Sequence, residues 1–151
     1  MSDAHLPDDV TQALTAVIQN AFKQSHLHES YGPADRYGVT EWVATLRRPD
    51  LDDALLLVSV AGWPNAGGVD LELAVAIRTK QWITRSTVIE DHLPVEDIFQ
   101  PTGRSLSDYM TDLVAQALKS KFVEGVESHM RNPGGYDPPA GAKELLHSPG
   151  Q

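Results

Sequence analysis

Between Val39 and Ile89 four stretches of strand character follow one another, and no helical segment of ten or more residues separates any two of them. They are VTEWVATL (39–46), DALLLVSV (53–60), VDLELAVAI (69–77) and WITRSTVI (82–89). A parallel pair needs a crossover of a dozen or more residues, usually a helix, so these strands are expected to pair antiparallel. VDLELAVAI alternates most clearly, with Val69, Leu71, Leu73, Val75 and Ile77 on one face and Asp70, Glu72, Ala74 and Ala76 on the other. That pattern predicts one buried and one wetter side. No strong turn signal stands between Arg78 and Gln81, so residues 69–90 read either as two strands or as one bent strand.

Helical periodicity flanks this region on both sides. Val10, Leu14, Val17, Ile18, Ala21 and Phe22 recur at three- and four-residue spacings, and Pro7, Asp8 and Asp9 suit the start of a helix that runs to about Gln24. A second stripe, from Leu106 through Met110, Leu113, Ala117 and Phe122 to Val126, predicts one long helix over Ser105–His129, about 37 Å at 1.5 Å per residue. Ser105 stands where a cap is needed, with Asp108 three residues on. SHLHESYGPADRYG (25–38) has no stripe and reads as a loop, and EDHLPVEDIFQPTG (90–103) as a punctuated connector. The expected fold is α+β in two layers: an N-terminal helix, an antiparallel sheet of three or four strands, and a long C-terminal helix packed on one sheet face.

A chain of 151 residues, 41% of them hydrophobic, is the size of one autonomous domain. Residues 1–130 are assigned to it, and the Pro/Gly-rich residues 131–151 read as a mostly disordered tail that is inert, the alternative being AKELLH, around Leu145 and Leu146, as a short docking motif within it. The chain has no cysteine, which excludes thiol catalysis, disulfide scaffolds and thiolate zinc sites. There are 12 Lys and Arg against 21 Asp and Glu, leaving a formal charge of −9. A field of that sign disfavours nucleic acid and anionic membranes and favours a basic partner. With an acidic start and no apolar run near 20 residues, the expectation is a cytoplasmic location without membrane contact.

The segment VAGWPNAGGVDLELAV (60–75) is the one stretch that resembles a ligand loop. A phosphate-cradling loop opens a helix and usually carries a lysine, whereas GWPNAGG leads into an alternating strand and has no Lys, Ser or Thr. It reads as a hairpin turn in which Asn65, Gly67 and Gly68 take positive φ and Pro64 stiffens the approach. Trp63 is not required by the turn, and an outward indole there is a candidate partner anchor.

Other chemistry-bearing groups fail on context. His26 and His28, with His92 brought in from elsewhere, are the only metal candidates, but the metalloprotease pattern needs a histidine four after His28, where Gly32 stands. Asp50, Asp52 and Asp53 lack the glycine of a calcium loop at the sixth position, occupied by Leu55, and read as a turn neutralised by Arg47 and Arg48. No cofactor is implied. Glu90, Asp91, Glu96 and Asp97 crowd one connector and form, with Trp63, the candidate partner-binding set. The expected function is a small acidic protein-binding module, of inhibitor, immunity or accessory-subunit type. The alternative is a small-molecule or metal-dependent enzyme with its site in the sheet cavity or near the histidines. Mimicry of nucleic acid by the acidic surface ranks third, and a homodimer stays open.

Overall fold

A computed structural model of the chain describes residues 5–99, 105–132 and the backbone of 142–143. The elements, in order, are α1 (Asp8–Gln24), β1 (His28–Arg36), β2 (Val39–Arg48), a 3-10 turn (Pro49–Leu51), β3 (Ala54–Asn65), β4 (Gly68–Arg78), β5 (Ile83–Pro94), α2 (Val95–Phe99), α3 (Leu106–Leu118), α4 (Lys121–Arg131) and the two-residue β6 (Ala142–Lys143). The chain is α+β, with an N-terminal helix, a five-strand antiparallel sheet and C-terminal helices, and β6 adds a short sixth rung beside Ile83 and Thr84. Each strand pairs with its neighbour in sequence, in the order β1-β2-β3-β4-β5-β6. Among the described residues no helix is long and apolar enough to cross a membrane. The Pro/Gly-rich segment 131–151, with Leu145 and Leu146, lies outside the described residues apart from 131–132 and 142–143.

The helices cover one face of the sheet. Val10, Leu14, Ile18, Ala21 and Phe22 of α1 and Met110, Leu113, Val114 and Ala117 of α3 are buried against Leu56, Val58, Val60, Leu71, Leu73 and Val75. Trp42 is fully buried on β2, and its indole N–H donates to Thr15 Oγ1 of α1 at 2.9 Å, so the largest core side chain also pins α1 to the sheet. The Arg48 guanidinium bonds both Asp50 and Glu127 and so ties the 3-10 turn to α4. Arg131 adds a second bond to Asp50 at 3.1 Å.

Five expectations need correction. The segment read as a loop from Ser25 to Gly38 contains strand β1. All its residues except Gly32 are exposed, so it carries no apolar pattern, and it is held by backbone pairing to β2 with register shifts on either side of Tyr31. This strand raises the sheet from the expected three or four strands to five. The connector after Ile89 is the second half of β5, which runs on to Pro94 and then turns into α2.

The single long helix is two helices, α3 and α4. Continuing the stripe of Leu106, Met110, Leu113 and Ala117 would place Ser120, Lys121 and Glu124 on the buried face. The chain breaks after Leu118 instead, Ser120 Oγ accepts the Val123 amide, and Val123 and Val126 turn inward. Ser105 caps α3 by accepting the Asp108 amide at 3.1 Å.

The hairpin between β3 and β4 takes positive φ at Gly67 as expected, but not at Asn65 or Gly68. Positive φ falls on Ala66 (47°) and Gly67 (77°), with Asn65 and Gly68 as the flanking pair, which is a two-residue type I′ loop. Residues 69–90 form two strands, because Thr79 builds the turn that separates them. Its Oγ1 accepts from the amides of Gln81 at 3.1 Å and Trp82 at 3.0 Å, and its own amide donates to the Trp82 carbonyl at 2.8 Å.

Candidate functional site: the open face of the sheet

Among the described residues, alternation along the strands leaves the second sheet face without a helical layer. Register arranges that face in five ranks running across the strands. The first holds Arg47, Leu55, Arg78 and Ile83; the second Thr45, Leu57, Ala76 and Arg85; the third Val43, Ser59, Ala74 and Thr87. The fourth holds Glu41, Ala61, Glu72 and Glu90, and the fifth Trp63, Asp70 and His92. Across β2 to β5 the face is therefore basic at one end, neutral across its centre and acidic at the end nearest the Ala66–Gly67 loop, while on the edge strand β1 Arg36, in register with Val39, stands at that same end.

Glu72 and Glu90 are direct cross-strand partners, an arrangement of like charges that destabilises the pair when nothing neutralises it. Among the described residues no Lys or Arg pairs with Glu41, Glu72 or Glu90, and no carboxylate pairs with Arg47, Arg78 or Arg85. Asp70 is differently placed. It accepts from His92 Nδ1 at 2.7 Å and from Asn65 Nδ2 at 2.8 Å, and these two bonds, the histidine's first, hold its carboxyl below the usual carboxylate range.

A shallow depression of about 330 Å³ opens at the acidic end, lined by Trp63, Asp70, Leu71, Glu72, Glu90 and Asp91. Its lining joins one half-buried indole to carboxylates, the pairing that suits a cationic side chain lying over the ring with its charge met by acids. The expected partner-binding residues divide around it. Trp63 and Glu90 meet there. Asp91 reaches the depression from the adjacent position, but it is in register with Leu71 on the helix side, and its carboxylate accepts the Tyr109 hydroxyl. Glu96 and Asp97 sit in the first turn of α2 and do not line the depression.

Sequence reasoning passes over Asp70, Glu72 and Glu41 as site residues. The signal is present in the alternation of VDLELAVAI, whose polar letters fall on the wetter face, but the register that sets them beside Trp63 and Glu90 is not written in any one strand.

The three histidines are not brought together. His26 has φ 62° and closes α1: its amide donates to the Lys23 carbonyl at 3.0 Å and the Leu27 amide to Phe22 at 3.0 Å, the double bond pattern of a left-handed helix end. His28 opens β1 at one edge of the sheet, and His92 lies on β5, four strands away, or about 19 Å at the usual strand spacing. Among the described residues no three His, Asp or Glu side chains group as a metal would require. No protein-family model, no curated protein and no solved structure matches the chain.

Proposed function

We propose that the chain is an acidic protein-binding module of inhibitor or accessory-subunit type, which docks a basic partner on the open face of its sheet. The observation that carries this reading is the depression where Trp63 adjoins Glu72 and Glu90, two opposed carboxylates with no cation from the described residues. Holding like charges in cross-strand register costs stability in the isolated chain and is relieved when a partner supplies positive charge. The indole gives such a partner a flat, rigid anchor at the rim of the acids. The formal charge of −9 extends the attraction beyond contact and speeds encounter at low ionic strength.

The test is affinity capture on the immobilised full chain, comparing the wild type with the Glu72→Gln/Glu90→Gln variant at low and high salt. A basic protein held by the wild type at low salt, and lost both in the variant and at high salt, supports the reading. The same proteins held by both baits refute the assignment of the site, and a wild-type bait that holds nothing refutes the function.

A further inference from the structure

We propose that the basic surface docked by this face is the arginine end of a second copy of the chain, bound face to face about a two-fold axis. The axis lies in the plane between the sheets, crosses the strands at right angles and passes over the rank of Ser59 and Ala74. The proposal rests on the reading of the open face as a docking surface for positive charge, here supplied by the arginine rank of a second copy in place of a basic protein; both copies carry a formal charge of −9, so the match is local and works against the net repulsion.

Such an axis keeps each strand over its own counterpart and reverses position along it. The acidic ranks of one copy then lie on the basic ranks of the other. Glu90 meets the partner's Arg85, both being on β5 and equally far from the Ala74–Thr87 rank. Asp70 meets the partner's Arg78 in the same way on β4, and Glu41 lies one rank from the partner's Arg47 on β2. Each match is made twice, once from each side, as an isologous interface requires. A two-fold axis parallel to the strands would instead stack acid on acid and arginine on arginine.

Shape follows the same symmetry. Along β3 the open face reads Leu55, Leu57, Ser59, Ala61, Trp63, and reversal about Ser59 sets Trp63 on the partner's Leu55 and Leu57 on the partner's Ala61. A large residue thus faces a smaller one at both steps, with the hydroxyl of Ser59 opposite its own mate, which lets two sheets approach to about 10 Å. The four strands of the ranks, about 4.8 Å apart and covered over eight residues of length, offer a patch of about 19 by 27 Å, or on the order of 500 Å² from each copy. The total, roughly 1,000 Å², is that of a weak or transient interface. The expected dimer is therefore concentration-dependent, with charge supplying much of its selectivity.

The experiment is sedimentation of the full chain across a concentration series, with Arg85→Glu and Glu90→Arg made singly. Each single variant places like charges at both symmetric contacts, and its self-association is expected to weaken by roughly tenfold or more relative to the wild type. An equimolar mixture of the two variants is expected to regain dimer. The carboxylate introduced by Arg85→Glu in one copy then meets the guanidinium introduced by Glu90→Arg in the other, while the native pair is kept on the opposite side. Circular dichroism checks that each variant folds, and Arg47→Glu with Glu41→Arg repeats the design should either fail. A chain that stays monomeric at every concentration overturns the proposal, as does a dimer indifferent to the reversals or a mixture that does not recover. A monomer that still captures a basic protein through Glu72 and Glu90 would overturn the second copy as partner and leave the proposed function standing.

Discussion

Three consecutive positions in the hairpin that carries Trp63 should respond to substitution in three different ways. Ala66 is held at φ 47° and Gly67 at φ 77°, whereas Gly68 lies outside the left-handed region. A left-handed backbone costs an ordinary L-residue about 1–2 kcal/mol, and asparagine tolerates it better, so Ala66→Asn is expected to stabilise the fold by about 0.5–1 kcal/mol. Gly67→Ala creates the strain that Ala66→Asn relieves. Among the described residues nothing lies within 4 Å of the added methyl, so the loss is the backbone strain alone, about 1 kcal/mol.

Gly68→Ala fails for another reason. Its Cβ would overlap the Leu93 carbonyl oxygen and stand 2.9 Å from Pro94 Cα, both backbone atoms of β5, and 3.0 Å from His92 Nε2. Backbone cannot rotate away, so the ends of β4 and β5 must part, at about 2–3 kcal/mol by analogy with overpacked cores. For a chain of this size that corresponds to a fall in Tm of about 5–10 °C, against about 2–4 °C for Gly67→Ala and a small rise for Ala66→Asn. Urea unfolding with common m-values gives the free energies, and a thermal scan gives the order. If Gly67→Ala proves costlier than Gly68→Ala, or Ala66→Asn destabilises, the assignment of a type I′ loop flanked by a steric Gly68 is wrong.

Thr15→Val removes the acceptor of the buried Trp42 N–H, and a buried unpaired donor is expected to cost about 1–3 kcal/mol in chemical unfolding, less when combined with Trp42→Phe than the two single losses summed. Asp50 is held near pKa 2, chiefly by the Arg48 guanidinium, below its ordinary 3.8. Its folded pKa is depressed, so its contribution is present above about pH 4 and is lost as pH falls toward 2; the Tm difference between the wild type and Asp50→Asn should shrink across that interval and be flat above it. Glu96→Gln/Asp97→Asn should leave capture of a basic partner within about twofold of wild type, because neither residue lines the depression, and a loss equal to that of Glu72→Gln/Glu90→Gln would move the site to α2.

What can be read from the chain depends on how its residues are buried. α1 and β2 to β4 announce themselves because their buried letters recur with period 3.6 or 2, and the antiparallel arrangement follows from the short links between strands. β1 is invisible for the converse reason: its side chains are exposed, and backbone pairing leaves no periodic trace in residue type. The break at Ser120 hides within a stripe that the eye completes through Leu118 and Phe122, although Lys121 and Glu124 fall where apolar residues would be needed. The turn at Thr79 uses a hydroxyl in place of glycine or proline. At the candidate site, Trp63 and Glu90 are identifiable singly, whereas Asp70 and Glu72 join them only through strand register. His26 has a backbone role that its imidazole does not announce, since its position records the end of α1.

Alternation gives β3 and β4 two texts in one frame. Leu56, Val58 and Val60 spell the interior, while Leu55, Leu57, Ser59, Ala61 and Trp63 spell the outer face, and the two sets share no position. Drift in the outer letters can change the chemistry of that face while the inner letters continue to hold the helices. A substitution is thus confined to one text, but an insertion or deletion of one residue within β3 exchanges the two, turning the core outward and the outer face inward at once. Lineages of such a chain should accordingly tolerate varied residues on the outer face and hold the lengths of these two strands constant.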